Sequence, residues 1–273
     1  MLTQIKGLIR FSYPAEGGFK LNRQSEGNVA DALFHPDRLR RRMELFRRFT
    51  LPSLIAQTDQ DFKVAILIGE KMPVEFRKEL EDMLAPHAFA KILALPPMEH
   101  YKATQVAFAA IATQQDTSHI ATFRLDDDDA IHIEMIQRIR NLAQGLLQMR
   151  EDERPFVIGF MHGHFMSLEG DLAVVSRVTE RTPLGVGLTM VAPAASPVNI
   201  FVQNNHRSIA EKFDTYTDAS RPMFIRTVHD LNDSGAVNSG KMFAMETPED
   251  WETFQRSFAL DLDGVNLYTL FEY

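Results

Sequence analysis

Apolar residues in the first half of the chain fall into two alternating patterns. Segments 5–11 and 62–68 (FKVAILI, an apolar run rich in β-branched residues) read as buried strands, and 91–95 and 119–125 as further strands. Between them, apolar residues recur every three or four positions. Leu39, Met43, Phe46 and Phe49 mark a helix over 38–49, and Pro52 falls where it would break or restart that helix. Phe76, Leu80 and Met83 mark another over 73–84, and 102–114 is an alanine-rich helix. Ile131, Met135, Ile139, Leu142 and Leu146 mark a helix over 131–149. Strands alternating with helices predict an α/β fold built on a doubly wound, mostly parallel sheet. Ligands of such sheets bind at the carboxyl ends of the strands.

The second half is patterned differently. Segments 156–161, 172–178, 185–191, 199–202 and 223–228 are strand-like, without helices of comparable length between them. Thr247-Pro248-Glu249-Asp250 supplies an N-cap, a proline at the first helical position and an acidic first turn. Trp251, Phe254 and Phe258 follow as the buried face of a closing helix, expected to pack over the site. This half reads as additional, partly antiparallel C-terminal sheet. Proline and glycine are scattered and no repeat appears, so a single domain over 1–273 is expected.

Composition narrows the function classes. At 273 residues and 45% hydrophobic, the chain can bury the core of one large α/β domain. No apolar run approaches the ~20 residues of a membrane span, and no signal-peptide core is read near the start. The absence of cysteine excludes disulfides, thiolate catalysis and zinc–thiolate sites, and a cytoplasmic location is expected. A formal charge of −8 argues against nucleic acid as a partner, though not against a small anion held through a metal.

The strand at 119–125 runs straight into Asp126-Asp127-Asp128-Asp129. Four adjacent carboxylates repel one another unless a cation sits among them. Alternate side chains at a strand end point the same way, so Asp126 and Asp128 can converge on one hard cation, Mn2+ or Mg2+. The other reading is a solvated acidic loop, or a helix N-terminus suited by Asp129. An EF-hand calcium loop fits poorly, because its sixth position would be Ile131 and its twelfth Gln137.

Other polar features carry two readings each. Arg38, Arg40, Arg41, Arg42, Arg47 and Arg48 form a solvated basic face, or a contact with an anionic acceptor or membrane surface. His162 and His164 suit a hairpin or acceptor site better than a metal pair. Gln203-Asn204-Asn205-His206 suits a turn and N-cap as well as a sugar site. Lys102 reads as a surface lysine.

Segment 53–67, SLIAQTDQDFKVAIL, resembles the helix end, turn and second strand of family 2-type glycosyltransferases with the GT-A fold. RLDDDDAI, at the end of a strand, resembles that fold's D-x-D segment. RFS near the start, RLDDDDAI and IRTVHDLNDSG together resemble, more narrowly, a bacterial family of rhamnosyltransferases. The resemblance implies a GT-A-like sheet, with 1–130 as nucleotide-binding half and 131–273 as acceptor-side half. Asp126 and Asp128 are then the pair touching ribose and metal, with Asp127 nearby and Arg10 and Phe11 beside the nucleotide. IGEKMP after the second strand departs from the Asp-rich turn common in these enzymes and leaves only Glu70 there.

The expected activity is metal-dependent transfer of a sugar, rhamnose by the family label, from a nucleotide-sugar donor to a glycan or lipid-linked acceptor. If the reaction inverts, Asp233 or Asp230 in HDLNDSG is the expected base. His229, the first polar residue after the strand at 223–228, is expected to complete the metal shell. A metal-dependent nucleotidyltransferase or phosphohydrolase would use the same carboxylates. A carbohydrate-binding or calcium-stabilised module is the non-enzymatic alternative.

Overall fold

The computed structural model describes residues 2–16, 26–203, 205–232 and 239–269. The four apolar runs of the first half are parallel strands: β1 (Leu2–Arg10), β2 (Phe62–Gly69), β3 (Ala90–Leu95) and β4 (Thr117–Asp126). Connecting them are α1 (Glu26–Leu33), α2 (Pro36–Leu45), α3 (Leu51–Ile55), α4 (Val74–Leu84) and α5 (His100–Ala109). Between α2 and α3 the chain keeps turning as a π-helix, Phe46–Thr50. Pro52 explains this. Its ring removes a donor and crowds the preceding turn, and a wider turn absorbs both without ending the helix.

Beyond β4 come β5 (Ala130–Ile131), α6 (Met135–Met149), β6 (Phe156–Phe160), β7 (His162–Glu169), β8 (Leu172–Thr179) and β9 (Thr189–Pro193). Then follow β10 (Asp214–Asp218), β11 (Phe224–Val228), β12 (Lys241–Phe243), α7 (Pro248–Ser257) and β13 (Asn266–Thr269). The larger sheet has the order β10-β6-β9-β4-β1-β2-β3, in which only β9 runs against its neighbours. It is therefore the expected mostly parallel sheet. Strands from beyond residue 130 extend it, so one hydrophobic core joins Ile5, Phe123 and Phe156. A second, mixed sheet has the order β12-β8-β7-β11-β5, with β13 also on β8.

Several local expectations change. The helix read from Ile131 begins at Met135, because Ala130–Ile131 pairs with β11 instead. The aspartates thus precede a strand, not a helix N-terminus. Segment 199–202 is no strand: the Asn199 side chain caps the Phe201 amide and Ile200–Val202 turns as a 3-10 helix. The strand read from residue 185 starts at Thr189, since Gly187 takes a φ of 70°, open to glycine but strained for other residues. The alanine-rich helix spans His100–Ala109, capped by Glu99 through the Tyr101 and Lys102 amides.

The closing helix α7 starts with a full capping box between Thr247 and Asp250. Phe254 and Phe258 bury against the second sheet, in a cluster with Ala130, Met166, Val175 and Ile225. His164 lies under them, its ring 5.0 Å from Phe254 and 5.6 Å from Phe258. Burial, helped by Arg177, pushes this imidazole down to about 3. An unfolded histidine titrates near ~6.5, so the stability of the neutral buried ring is complete above that pH. It is lost as pH falls toward the folded value. His164→Phe keeps an aromatic ring and removes a buried Nδ1 that has no partner among the described residues. Its melting temperature should fall less between pH 6.5 and 4 than that of the wild type. An unchanged acid slope would place the sensitivity elsewhere.

Candidate active site

β1 and β4 are hydrogen-bonded neighbours, and their register sets Arg10 opposite Asp126 at the carboxyl end of the larger sheet. Arg10 Nη2 donates to Asp126 Oδ1 at 3.3 Å, and Arg10 Nη1 donates to His100 Nε2 at 3.0 Å. Accepting that bond fixes His100 as neutral at Nε2, and burial, then Arg10 and Arg124, push its pKa down to about 3. Arg124, one pleat back on β4, brings Nη2 to 3.9 Å from Asp126 Oδ1. Both guanidiniums lie over the Phe201 ring, at 5.5 Å and 5.2 Å from its centroid. Gly185 lets the loop before β9 pass against Arg124, where an added Cβ would sit 3.1 Å from Nε. At the end of β1, Ser12 takes a φ of 50°, a strained backbone of the kind found at functional sites. Phe11 is fully buried beside Phe46 and forms core, not surface.

The four aspartates divide sharply. The side chain of Asp126 is 43% exposed, whereas Asp127, Asp128 and Asp129 are buried. Desolvation acts to raise Asp126, but Arg124 and Arg10 outweigh it and hold the carboxyl below its ordinary range. Asp127 is clamped by Arg42, whose Nε and Nη2 reach its two oxygens. Arg42 Nη1 also donates to Asp128 Oδ2 at 3.0 Å. Burial would raise Asp128, yet Arg42 and His229 bring it to about 2. Asp129 is pushed well above the usual carboxylate value by burial, then by Asp128 and Asp126. It works as a structural tie: Oδ1 accepts the Thr227 amide at 2.9 Å, and its carbonyl accepts Thr50 Oγ1 at 2.8 Å.

Arg42 does not share the solvated basic face expected for this arginine-rich helix. Arg40 and Arg41 do stay at the surface, paired with Asp37 and Glu44. Arg42 instead points inward and is only 8% exposed. The signal was its spacing, three residues after Leu39 and four before Phe46 on the buried stripe.

His229, at the end of β11, comes to Asp128: Nε2 lies 2.8 Å from Oδ2. The Leu231 amide donates to His229 Nδ1 at 3.2 Å, so the ring proton sits on Nε2 and points at Asp128. Asn232 Nδ2 donates to the same oxygen at 2.9 Å. Asp230 lies 4.0 Å from His229 Nδ1 with its side chain 85% exposed, away from the other carboxylates' burial. Asp233 lies outside the described residues.

Glu180 belongs to no motif in the sequence, whereas His206 closes the polar segment that suits a turn or a sugar site. Glu180, fully buried after β8, holds Arg207 and Ser239 through Oε2, while its Oε1 meets no partner among the described residues. His206 Nε2 is likewise buried and unbonded among them, and burial, then Arg124 and Arg207, push its pKa down to about 3. Such atoms are costly unless a ligand or water meets them. His162 bonds Thr179 at 2.9 Å within the β7–β8 hairpin, as a hairpin role requires. Glu70 is exposed after β2.

Among the described residues no three His, Asp or Glu side chains form a ready ion site. Carboxylate oxygens are nonetheless the kind of donor that a hard divalent ion takes. Asp126 presents exposed oxygen, and Asp128 Oδ2 and His229 Nε2 stand 2.8 Å apart. That spacing approaches the about 3 Å between adjacent ligands of a six-coordinate ion with ~2.1 Å bonds. Binding would take the Nε2 proton in exchange.

A mostly parallel sheet with an acidic strand end, faced by arginines, defines the class as an α/β protein with its candidate site at the carboxyl ends of the strands. Within that class, residues 4–241 match the family described as "Putative rhamnosyl transferase", and the chain belongs to it. No curated protein matches it in sequence. Among solved structures it is similar to S. aureus TarS 1-349 in complex with UDP, at 10% identity and a TM-score of 0.45. That alignment covers 82% of this chain and 60% of TarS 1-349. The complex of TarS 1-349 with UDP-GlcNAc gives 10% identity and a TM-score of 0.47, over 86% of this chain and 62% of that one. A "putative nucleotide-diphospho-sugar transferase" from Desulfovibrio desulfuricans G20 gives 10% identity and a TM-score of 0.37, over 81% of each chain. The chain thus spans about 60% of the TarS 1-349 length. No helix among the described residues is long and apolar enough to cross a membrane.

Proposed function

We propose that the protein transfers a sugar from a nucleoside-diphosphate donor to a hydroxyl of a glycan or lipid-linked acceptor. Rhamnose is the sugar that its family's description points to. The observation carrying this reading is the Arg10–Asp126 pair, held in register at the carboxyl ends of β1 and β4 with Arg124 beside it. Guanidiniums there meet diphosphate oxygens with paired N–H donors, and an exposed carboxylate beside them suits ribose or a metal. Mn2+ or Mg2+, held by Asp126 and Asp128 with His229, would neutralise the diphosphate leaving group. Asp127 keeps the turn in place through Arg42. The acceptor hydroxyl attacks the anomeric carbon while a base takes its proton. Asp230 and Asp233 are candidates from the segment after β11, and Glu180, whose buried Oε1 has no partner among the described residues, is a third. A cytoplasmic location accords with such a donor.

Thermal melting with uridine, guanosine and thymidine diphosphate sugars, with and without Mn2+, tests the reading. One donor should raise the melting temperature by several degrees, and more with Mn2+ than without it. Stabilisation by nucleoside triphosphates alone would favour a nucleotidyltransferase. Stabilisation by free glycans alone would favour a binding module.

A further inference from the structure

One oxygen at the centre of the acidic run is already saturated. Asp128 Oδ2 accepts from Arg42 at 3.0 Å, from His229 at 2.8 Å and from Asn232 at 2.9 Å. Arg42 is held in turn by both oxygens of Asp127 and is carried on the buried stripe of α2, beside Leu39 and Met43. A guanidinium does not lose its charge in a protein, so this cation is permanent. A divalent ion using Asp128 must therefore displace hydrogen bonds and settle within a few ångströms of a fixed positive charge. Arg10 and Arg124 surround the one exposed carboxylate, Asp126, with two more.

We propose that Arg42 is a resident counter-cation that excludes a free divalent ion, so that the ion enters only together with a nucleoside diphosphate. The inference rests on the divalent-ion part of the proposed function. Arg42 is a positioning residue in this scheme and touches neither donor nor acceptor. A diphosphate changes the balance in two ways. Its charge offsets the three guanidiniums, and its oxygens fill ligand positions that the protein leaves open. The aqua ion alone brings neither. Binding order follows from the ligands on offer: a diphosphate meets Arg10 and Arg124 with or without metal, whereas the metal, finding Asp128 Oδ2 already taken, needs the oxygens that the diphosphate brings.

The test is calorimetric titration with Mn2+ alone, and with Mn2+ in saturating UDP or dTDP. Wild type should bind Mn2+ alone about tenfold or more weakly than with one of these diphosphates. Arg42→Met/Asp127→Asn removes the cation together with the carboxylate it clamps, so the net charge of the pair stays zero. This variant frees Asp128 Oδ2 of the Arg42 hydrogen bond and should bind Mn2+ alone measurably more tightly than wild type, though by less than loss of a lone unit charge would give, because the Asp127 charge goes with it. Wild-type affinity for Mn2+ that is the same with and without diphosphate overturns the inference and leaves the metal reading intact. A folded double variant with unchanged affinity for Mn2+ alone overturns it as well. If the double variant does not fold, the wild-type comparison decides alone. Mn2+ bound by wild type under neither condition ends the inference and the metal reading together. The transfer reading then survives if the sugar nucleotides still bind.

Discussion

Arg42→Met on its own should destabilise the protein by about 3–5 kcal/mol, the usual cost of removing one partner from a buried ion pair. Asp127 and Asp128 are 2% and 3% exposed, so neither can turn to water for replacement hydrogen bonds. His229 and Asn232 still serve Asp128, but Asp127 loses both of the contacts that Arg42 makes with it. Much of the cost should therefore return in Arg42→Met/Asp127→Asn, where the amide carries no charge. Urea unfolding of the two variants beside wild type measures this. A single variant as stable as wild type would mean that these carboxylates do not depend on the arginine.

Asp126→Asn should lower transfer by about 100-fold or more, because an amide binds a divalent ion and a developing charge far less well than a carboxylate. Stability should fall less than in Arg42→Met, since this side chain is 43% exposed, although Arg10 and Arg124 lose a counter-charge. The two variants thus separate the roles of the acidic run. Asp126 faces the ligand and Asp127 anchors the turn to α2, whereas Asp128, tied to Arg42 and His229, stands between the two roles. Assay of nucleoside diphosphate release, beside a melting curve, reads both properties. Retained transfer in Asp126→Asn would move the donor site away from the end of β4.

Continuous apolar runs made β1, β2, β4 and β6 legible, because a parallel strand covered on both faces needs apolar residues throughout. β7 was missed for the converse reason: His162-Gly163-His164 breaks the apolar run, and the strand is held by pairing with β8 and β11. β10, DTYTD, is polar at most positions and was also invisible. The strand end at Asp126 could be read from sequence, and so could Arg10 at the end of the first strand; that the two strands are neighbours in register could not. What the four carboxylates face could not. The sequence logic asked for a cation among them, and the fold supplies Arg42 from a helix more than eighty positions away. Residue type drew Arg42 to the surface in that reading, although its spacing from Leu39 and Phe46 placed it on the buried stripe. His229 was legible as the first polar residue after a strand. Its protonated nitrogen was not, since the Leu231 amide decides the tautomer.

Release of nucleoside diphosphate from a panel of sugar nucleotides, rhamnose donors among them, tests the central claim most directly. Purified protein with Mn2+ should release the nucleoside diphosphate from one donor, slowly into water and faster once a suitable acceptor is added. Asp126→Asn should lower both rates by about 100-fold or more. Pyrophosphate or nucleoside monophosphate as the product, or release unaffected by the loss of Asp126, would contradict a sugar-transfer site at the carboxyl ends of β1 and β4.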